Sequence, residues 1–98
     1  MLIVRVISKK KINEFIKRFP SSRPSLESWY AVVRRAAWKS LADVKAVYSS
    51  ADQVNRRTVF NISGNNYRLI ARINYRMQIV FVLHILTHEE YDEEGWKQ

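Results

Sequence analysis

The sequence predicts an α+β fold, an N-terminal strand and two helices packed on an antiparallel sheet. Three observations carry this expectation. Apolar residues recur with a helical period through the first third of the chain, and from Thr58 onward the period changes to two. The pair Gly64-Asn65 also falls between two such alternating runs, where positive φ is needed in a two-residue hairpin turn.

Leu2–Ile7 is rich in β-branched residues and reads as the first strand. Ser8 is a candidate cap for a helix whose Ile12, Phe15, Ile16 and Phe19 recur at i, i+3, i+4 and i+7, one apolar stripe. Lys9, Lys10, Lys11, Lys17 and Arg18 cover its wet side, and Pro20 ends it. Ser22 and Pro24 mark a second helix start, with Leu26, Trp29, Tyr30, Val33 and Ala37 as the buried stripe. Its aromatics read as core rather than as an RNA-stacking platform. Asp43–Ser50 reads as a connector carrying one lysine of interest, Lys45. Thr58–Ser63, Asn66–Asn74 and Gln78–Leu86 are three consecutive strands, the last two joined by a looser turn at Asn74-Tyr75-Arg76-Met77. Thr87 then caps a short helix, with Glu90 three residues on as the other half of a capping box.

Composition narrows the functional classes. The chain has 98 residues, expected to form one domain over 1–98, with ordinary apolar and charged fractions. Its longest apolar run, Ile79 to Leu83, is far below the roughly 20 residues that span a bilayer, so no membrane association is expected. The absence of cysteine excludes disulfides and thiolate metal sites and agrees with a cytoplasmic location. Charge is unevenly spread. Residues 1–86 hold 16 of the 17 Lys/Arg and four acids, net +12, whereas five acids follow in the last twelve residues. Such a basic body favours a polyanion, nucleic acid or an acidic protein.

The hairpin pins down a candidate site. With Gly64 and Asn65 in the turn, Asn61 lies opposite Arg68, and Arg72 follows on the same face. These polar groups interrupt an otherwise apolar surface and need partners or a ligand. A solvent-facing sheet is the bland alternative. Beyond the sheet, His88 and Tyr91 are three apart on a helix and share one face. His84, inside the third strand, reads as a core histidine. The acids form one run and two histidines make no ligand set, so neither a metal nor any small-molecule cofactor is expected. A nucleophile elbow and a Gly-rich phosphate loop are missing as well. What remains is metal-free acid–base chemistry on a charged substrate. Histidine titrates near neutrality, arginine holds phosphate without titrating, and tyrosine can stack on a base or pass a proton.

Three blocks carry a family resemblance: Ala42-Asp43-Val44-Lys45-Ala46-Val47-Tyr48, then Val59 through Ile70, then Leu86-Thr87-His88-Glu89-Glu90-Tyr91-Asp92. Together they resemble the HigB family of RelE-like toxins of bacterial toxin–antitoxin systems. The resemblance implies a microbial-ribonuclease-like fold and an endoribonuclease that cuts mRNA, at the ribosome in many relatives. It also implies neutralisation by a HigA-type helix-turn-helix antitoxin. By position, Arg68 matches the sheet arginine that contacts the scissile phosphate. His88 and Tyr91 match the C-terminal acid–base and base-stacking region, and Lys45, Asn61 and Arg72 are substrate-binding candidates. The chain departs from the RelE pattern in having Val59-Phe60-Asn61 where that pattern has paired lysines, which leaves the general base unassigned. An alternative of a different class stays open, a non-catalytic module that binds RNA or an antitoxin.

Overall fold

In a computed structural model, described for residues 5–93 and 95–97, a five-stranded sheet carries helices on one face and a short C-terminal segment on the other. Strand β1 (Arg5–Ile7) leads into α1 (Lys9–Arg18), a single 3-10 turn (Pro20–Ser22), α2 (Arg23–Arg35) and α3 (Leu41–Val47). Then come β2 (Asp52–Val54), β3 (Arg57–Ile62), β4 (Tyr67–Asn74), β5 (Ile79–Thr87), α4 (His88–Asp92) and a last 3-10 turn (Gly95–Lys97). The α+β class is as expected; Leu2, Ile3 and Val4 of the anticipated first strand lie outside the described residues.

Strands run in the order β1-β5-β4-β3-β2. The pairs from β2 to β5 are antiparallel, but β1 pairs with β5 in parallel, so the sheet is mixed rather than wholly antiparallel. The helices α1, α2 and α3 carry the chain across one face from β1 at one edge to β2 at the other, and the antiparallel run from β2 brings β5 back beside β1 in the same direction.

That face holds the main core. Ile12, Phe15 and Ile16 of α1 and Leu26, Trp29 and Val33 of α2 pack on Phe60, Ile62, Leu69, Ala71, Val80, Val82 and Ile85. Phe60 is fully buried, edge-on to Trp29 and Tyr48 and stacked near Trp38. Helix α2 stops at Arg35, two residues before Ala37, which is exposed rather than part of the stripe. Tyr30 is only half-buried, its ring covered by Lys9 at 4.4 Å and Arg34 at 5.4 Å. The segment expected to be a connector contains α3, anchored through buried Val44, while the three-residue β2 is too short for its alternation to be read from sequence.

The β3–β4 register is the anticipated one, with Asn61 opposite Arg68 and Val59 opposite Ile70. The Asn66 N–H donates to the Ser63 carbonyl across the turn (3.3 Å). Gly64 takes positive φ (65°) as its lack of Cβ permits, but the second left-handed residue is Ser63 rather than Asn65. In β5 the pairing jumps from Ile70↔His84 to Ala71↔Val82, a bulge with Leu83 as the extra residue. Lys11 Nζ donates to the displaced Leu83 carbonyl (2.8 Å), so the bulge leaves no orphaned acceptor there.

Candidate functional site

The second face of the sheet is where polar residues meet. Pairing puts Asn61 of β3, Arg68 and Arg72 of β4, and His84 and Leu86 of β5 on this side, together with Val59 and Ile70. The C-terminal segment covers part of it: Trp96 is buried against Val59 and Ile70, with Tyr91, Leu86 and Val54 around them. The Trp96 indole stacks on Tyr91 (5.0 Å between centroids) and donates from Nε1 to the Tyr91 carbonyl (3.0 Å). Arg57 donates to the Trp96 carbonyl (2.7 Å), tying the segment to β3.

The sharp turn from β5 into α4 is fixed by the capping box foreseen at Thr87 and Glu90. The Thr87 N–H donates to Glu90 Oε1 (2.9 Å) and the Glu90 N–H to Thr87 Oγ1 (3.2 Å). The His88 N–H donates to the Asn66 carbonyl (3.0 Å), joining the start of α4 to the hairpin turn. His88 thereby stands at the end of the sheet. It borders an open groove lined by Phe19, Asn65, Asn66, Tyr67, Thr87 and Glu89.

Arg68 is the centre of this arrangement. It is 8 % exposed, and its two terminal nitrogens are spent within the protein. Nη1 donates to the carbonyls of Asn65 (3.2 Å) and Tyr67 (3.1 Å), and Nη2 to Asn65 Oδ1. Nη2 also lies 3.5 Å from His88 Nδ1, and the guanidinium carbon is 5.4 Å from the Tyr91 ring centre. The other ring nitrogen, His88 Nε2, is 3.2 Å from Asp92 Oδ2. A permanent cation, an imidazole and a phenol are thus brought together from β4 and α4, which the sequence could only place in order.

The remaining candidates divide. Asn61 is half-buried directly across from Arg68, and Arg72 is exposed two steps of alternation further along the same face, beyond Ile70. Lys45 is exposed on α3, whose Val44 belongs to the core on the opposite face, so the structure does not bring it to the Arg68–His88 cluster. Three participants were not foreseen. Asn65 holds the Arg68 fork, Trp96 covers Tyr91, and Asp92 meets His88. Asp92 was legible as an i+4 partner of His88; Trp96, an isolated aromatic in an acidic tail, was a weaker signal. Among the described residues, no three His, Asp or Glu side chains converge as a metal site, and no helix is long and apolar enough to cross a membrane.

His84 is half-buried on this face. Burial first, then the charges of Lys11 and Arg57, hold its imidazole below the usual 6.5. The unfolded chain therefore takes up a proton there before the folded chain does, so this contribution to stability is lost as pH falls below about 6.5. The urea midpoint of the wild type should drop more than that of His84→Gln between about pH 7.5 and about pH 5.5. Equal drops would remove His84 from the acid sensitivity.

Comparison with known proteins gives this geometry its context. Residues 22–94 match the family described as HigB_toxin, RelE-like toxic component of a toxin-antitoxin system. The chain is 30 % identical over 93 residues to an mRNA interferase HigB of Escherichia coli O6:H1, covering 92 % of this chain and 90 % of that one. It is 25 % identical over 92 residues to the mRNA interferase toxin HigB of Escherichia coli K12 and to an mRNA interferase HigB of Shigella flexneri, covering 91 % of this chain and 88 % of each relative. The chain, with its Arg68, His88 and Tyr91 gathered at one end of the sheet, belongs to the HigB family of RelE-like toxins.

Proposed function

We propose that this toxin is a metal-independent endoribonuclease that cleaves mRNA at the ribosome in the cytoplasm. We also propose that a HigA-type helix-turn-helix antitoxin neutralises it. The observation that carries the catalytic reading is the 3.5 Å approach of His88 Nδ1 to the buried Arg68 guanidinium, at the edge of an open groove. In the proposed reaction His88 takes the proton of a ribose 2′-hydroxyl, and the 2′-oxygen attacks the adjacent phosphorus. The bond from phosphorus to the 5′-oxygen breaks, and that oxygen takes a proton from water. The products are a 2′,3′-cyclic phosphate and a 5′-hydroxyl end.

Arg68 supplies a fixed positive charge beside the reacting phosphate. Because its terminal N–H groups hold the hairpin turn and approach His88, it also sets the position of the imidazole. The Tyr91 ring is engaged by Trp96 and Arg68, so in this reading its hydroxyl, rather than a bare ring face, meets the substrate. Asn61 and Arg72, on the strand face of Arg68, bind the flanking RNA backbone. Lys45 contacts only RNA that reaches around to the helical side. The net positive body, +8 for the whole chain, favours all of these contacts.

The test is induced expression in bacteria of the wild type and of His88→Ala, with primer-extension mapping of mRNA ends and purified protein assayed in chelator. New 5′ ends and growth arrest with the wild type alone, persisting in chelator, are the expected outcome. Cleavage by both proteins would move the proton transfer to another group. A soluble, folded wild type that retards RNA in a gel but cuts none, with or without ribosomes, would favour a binding-only toxin.

A further inference from the structure

His88 is held between two groups of opposite sign on two different elements. Arg68 Nη2, from β4, stands 3.5 Å from Nδ1, and Asp92 Oδ2, from α4, stands 3.2 Å from Nε2. A guanidinium has only donors and keeps its protons at any ordinary pH, so the imidazole atom facing it presents a lone pair. A carboxylate only accepts, so the nitrogen facing it carries the hydrogen. Turning the ring over would put C–H groups against both partners, leaving neither satisfied.

We infer that Asp92 is the positioning residue of His88, fixing its neutral ring as the Nε2–H tautomer, and that Nδ1 is the nitrogen that exchanges protons with the substrate. The catalytic part rests on the ribonuclease reading above; the tautomer does not. At 3.5 Å the Arg68 contact is at the long limit of hydrogen bonding, so the guanidinium holds the Nδ1 lone pair only weakly. When Nδ1 takes the substrate's proton, two donors face each other, so the weakly held guanidinium must give way there, while the carboxylate paired with Nε2–H stabilises the imidazolium. This is how an orienting acid serves a catalytic histidine in general.

Asp92 has little else to do. Its side chain is 61 % exposed, and among the described residues His88 is its polar partner. It stands at the last residue of α4, the end of a helix where a negative charge is unfavourable. Of the described residues that line the groove, Glu89 of α4 also carries a charge. The remaining groove residues, Phe19, Asn65, Asn66, Tyr67 and Thr87, are uncharged. The i+4 spacing on a helix fixed by its capping box makes the pairing a property of the backbone rather than of a wandering side chain.

The experiment is nitrogen NMR of the histidine-labelled full chain, with RNA cleavage measured in parallel for the wild type, Asp92→Ala and Asp92→Asn. The wild type is expected to show His88 as a single Nε2–H tautomer, and Asp92→Ala a mixture of the two. Asp92→Asn, which still accepts from Nε2–H, should restore the tautomer but not the charge. Cleavage should fall about a hundredfold in kcat for Asp92→Ala with KM nearly unchanged, and partly recover in Asp92→Asn. The thermal midpoint should be the same in all three, separating positioning from stability. An Nδ1–H tautomer in the wild type, or a tautomer and kcat indifferent to Asp92→Ala, would overturn the inference. A folded wild type that never cleaves RNA overturns the ribonuclease reading and Asp92's catalytic part with it, while the tautomer still decides the positioning.

Discussion

Arg68→Ala is expected to lower RNA cleavage by more than about a hundredfold in kcat/KM, a loss of about 3 kcal/mol of transition-state stabilisation. The size follows from what the side chain does at once. It brings a buried positive charge to the end of the sheet, braces the Asn65–Tyr67 turn through three donated bonds, and approaches His88 Nδ1. Some of the loss in the alanine variant will be structural, since the carbonyls of Asn65 and Tyr67 lose their donor. Arg68→Lys separates the two effects. Lysine retains the charge, but its single ammonium cannot span two carbonyls, an amide and an imidazole as the planar fork does. It should therefore stay folded, at a somewhat lower urea midpoint because the carbonyls of Asn65 and Tyr67 are short of donors here too, and still lose most of its activity. Wild-type turnover in the lysine variant would mean that charge alone suffices and that the fork is incidental.

Phe60→Ala should give the largest loss of stability, about 4 kcal/mol, measured as a lower urea midpoint at an unchanged slope. Phe60 has no exposed surface, and three aromatic neighbours close on it: Trp29 of α2 at 5.4 Å, Tyr48 just past α3 at 5.5 Å and Trp38 of the loop between the two helices at 6.2 Å. Rings locked in that arrangement cannot collapse into the void, so the cavity term adds to the lost burial. Against a total of about 5–15 kcal/mol for a domain, this leaves the variant near its unfolding threshold. A loss below about 1 kcal/mol would show that the helical layer can repack. Because Phe60 points to the helical face while Asn61 points to the other, the surviving folded fraction should retain its site geometry.

The two substitutions sit eight residues apart in sequence and read opposite faces of one sheet, and both faces were legible to different degrees. The β3–β4 register followed from the Gly64-Asn65 pair and the alternation around it, because a two-residue turn fixes which residues face each other. The capping box at Thr87 and Glu90 and the α1 stripe were equally local and equally readable. Helix α3 escaped because only Val44 is buried from it, giving no apolar period to detect. The parallel pairing of β1 escaped because it joins strands more than seventy residues apart, with no local rule to connect them.

Sequence by itself determined the fold class, the hairpin register and the basic balance of charge, and it offered Arg68, His88 and Tyr91 as candidates, their roles resting on the family resemblance. Fold class, register and charge follow from period, spacing or residue type, which act over a few neighbours. Tertiary structure alone decided what those groups touch. It turned the Arg68 fork inward to the hairpin turn, set Trp96 over Tyr91, and left Lys45 on the helical side. It also gave the two nitrogens of His88 partners of opposite charge. Such contacts depend on which way a side chain leaves its strand and on what the crossing chain brings to meet it. That is why the bulge at Leu83 and the tail docked on Val59 remain invisible in the local pattern.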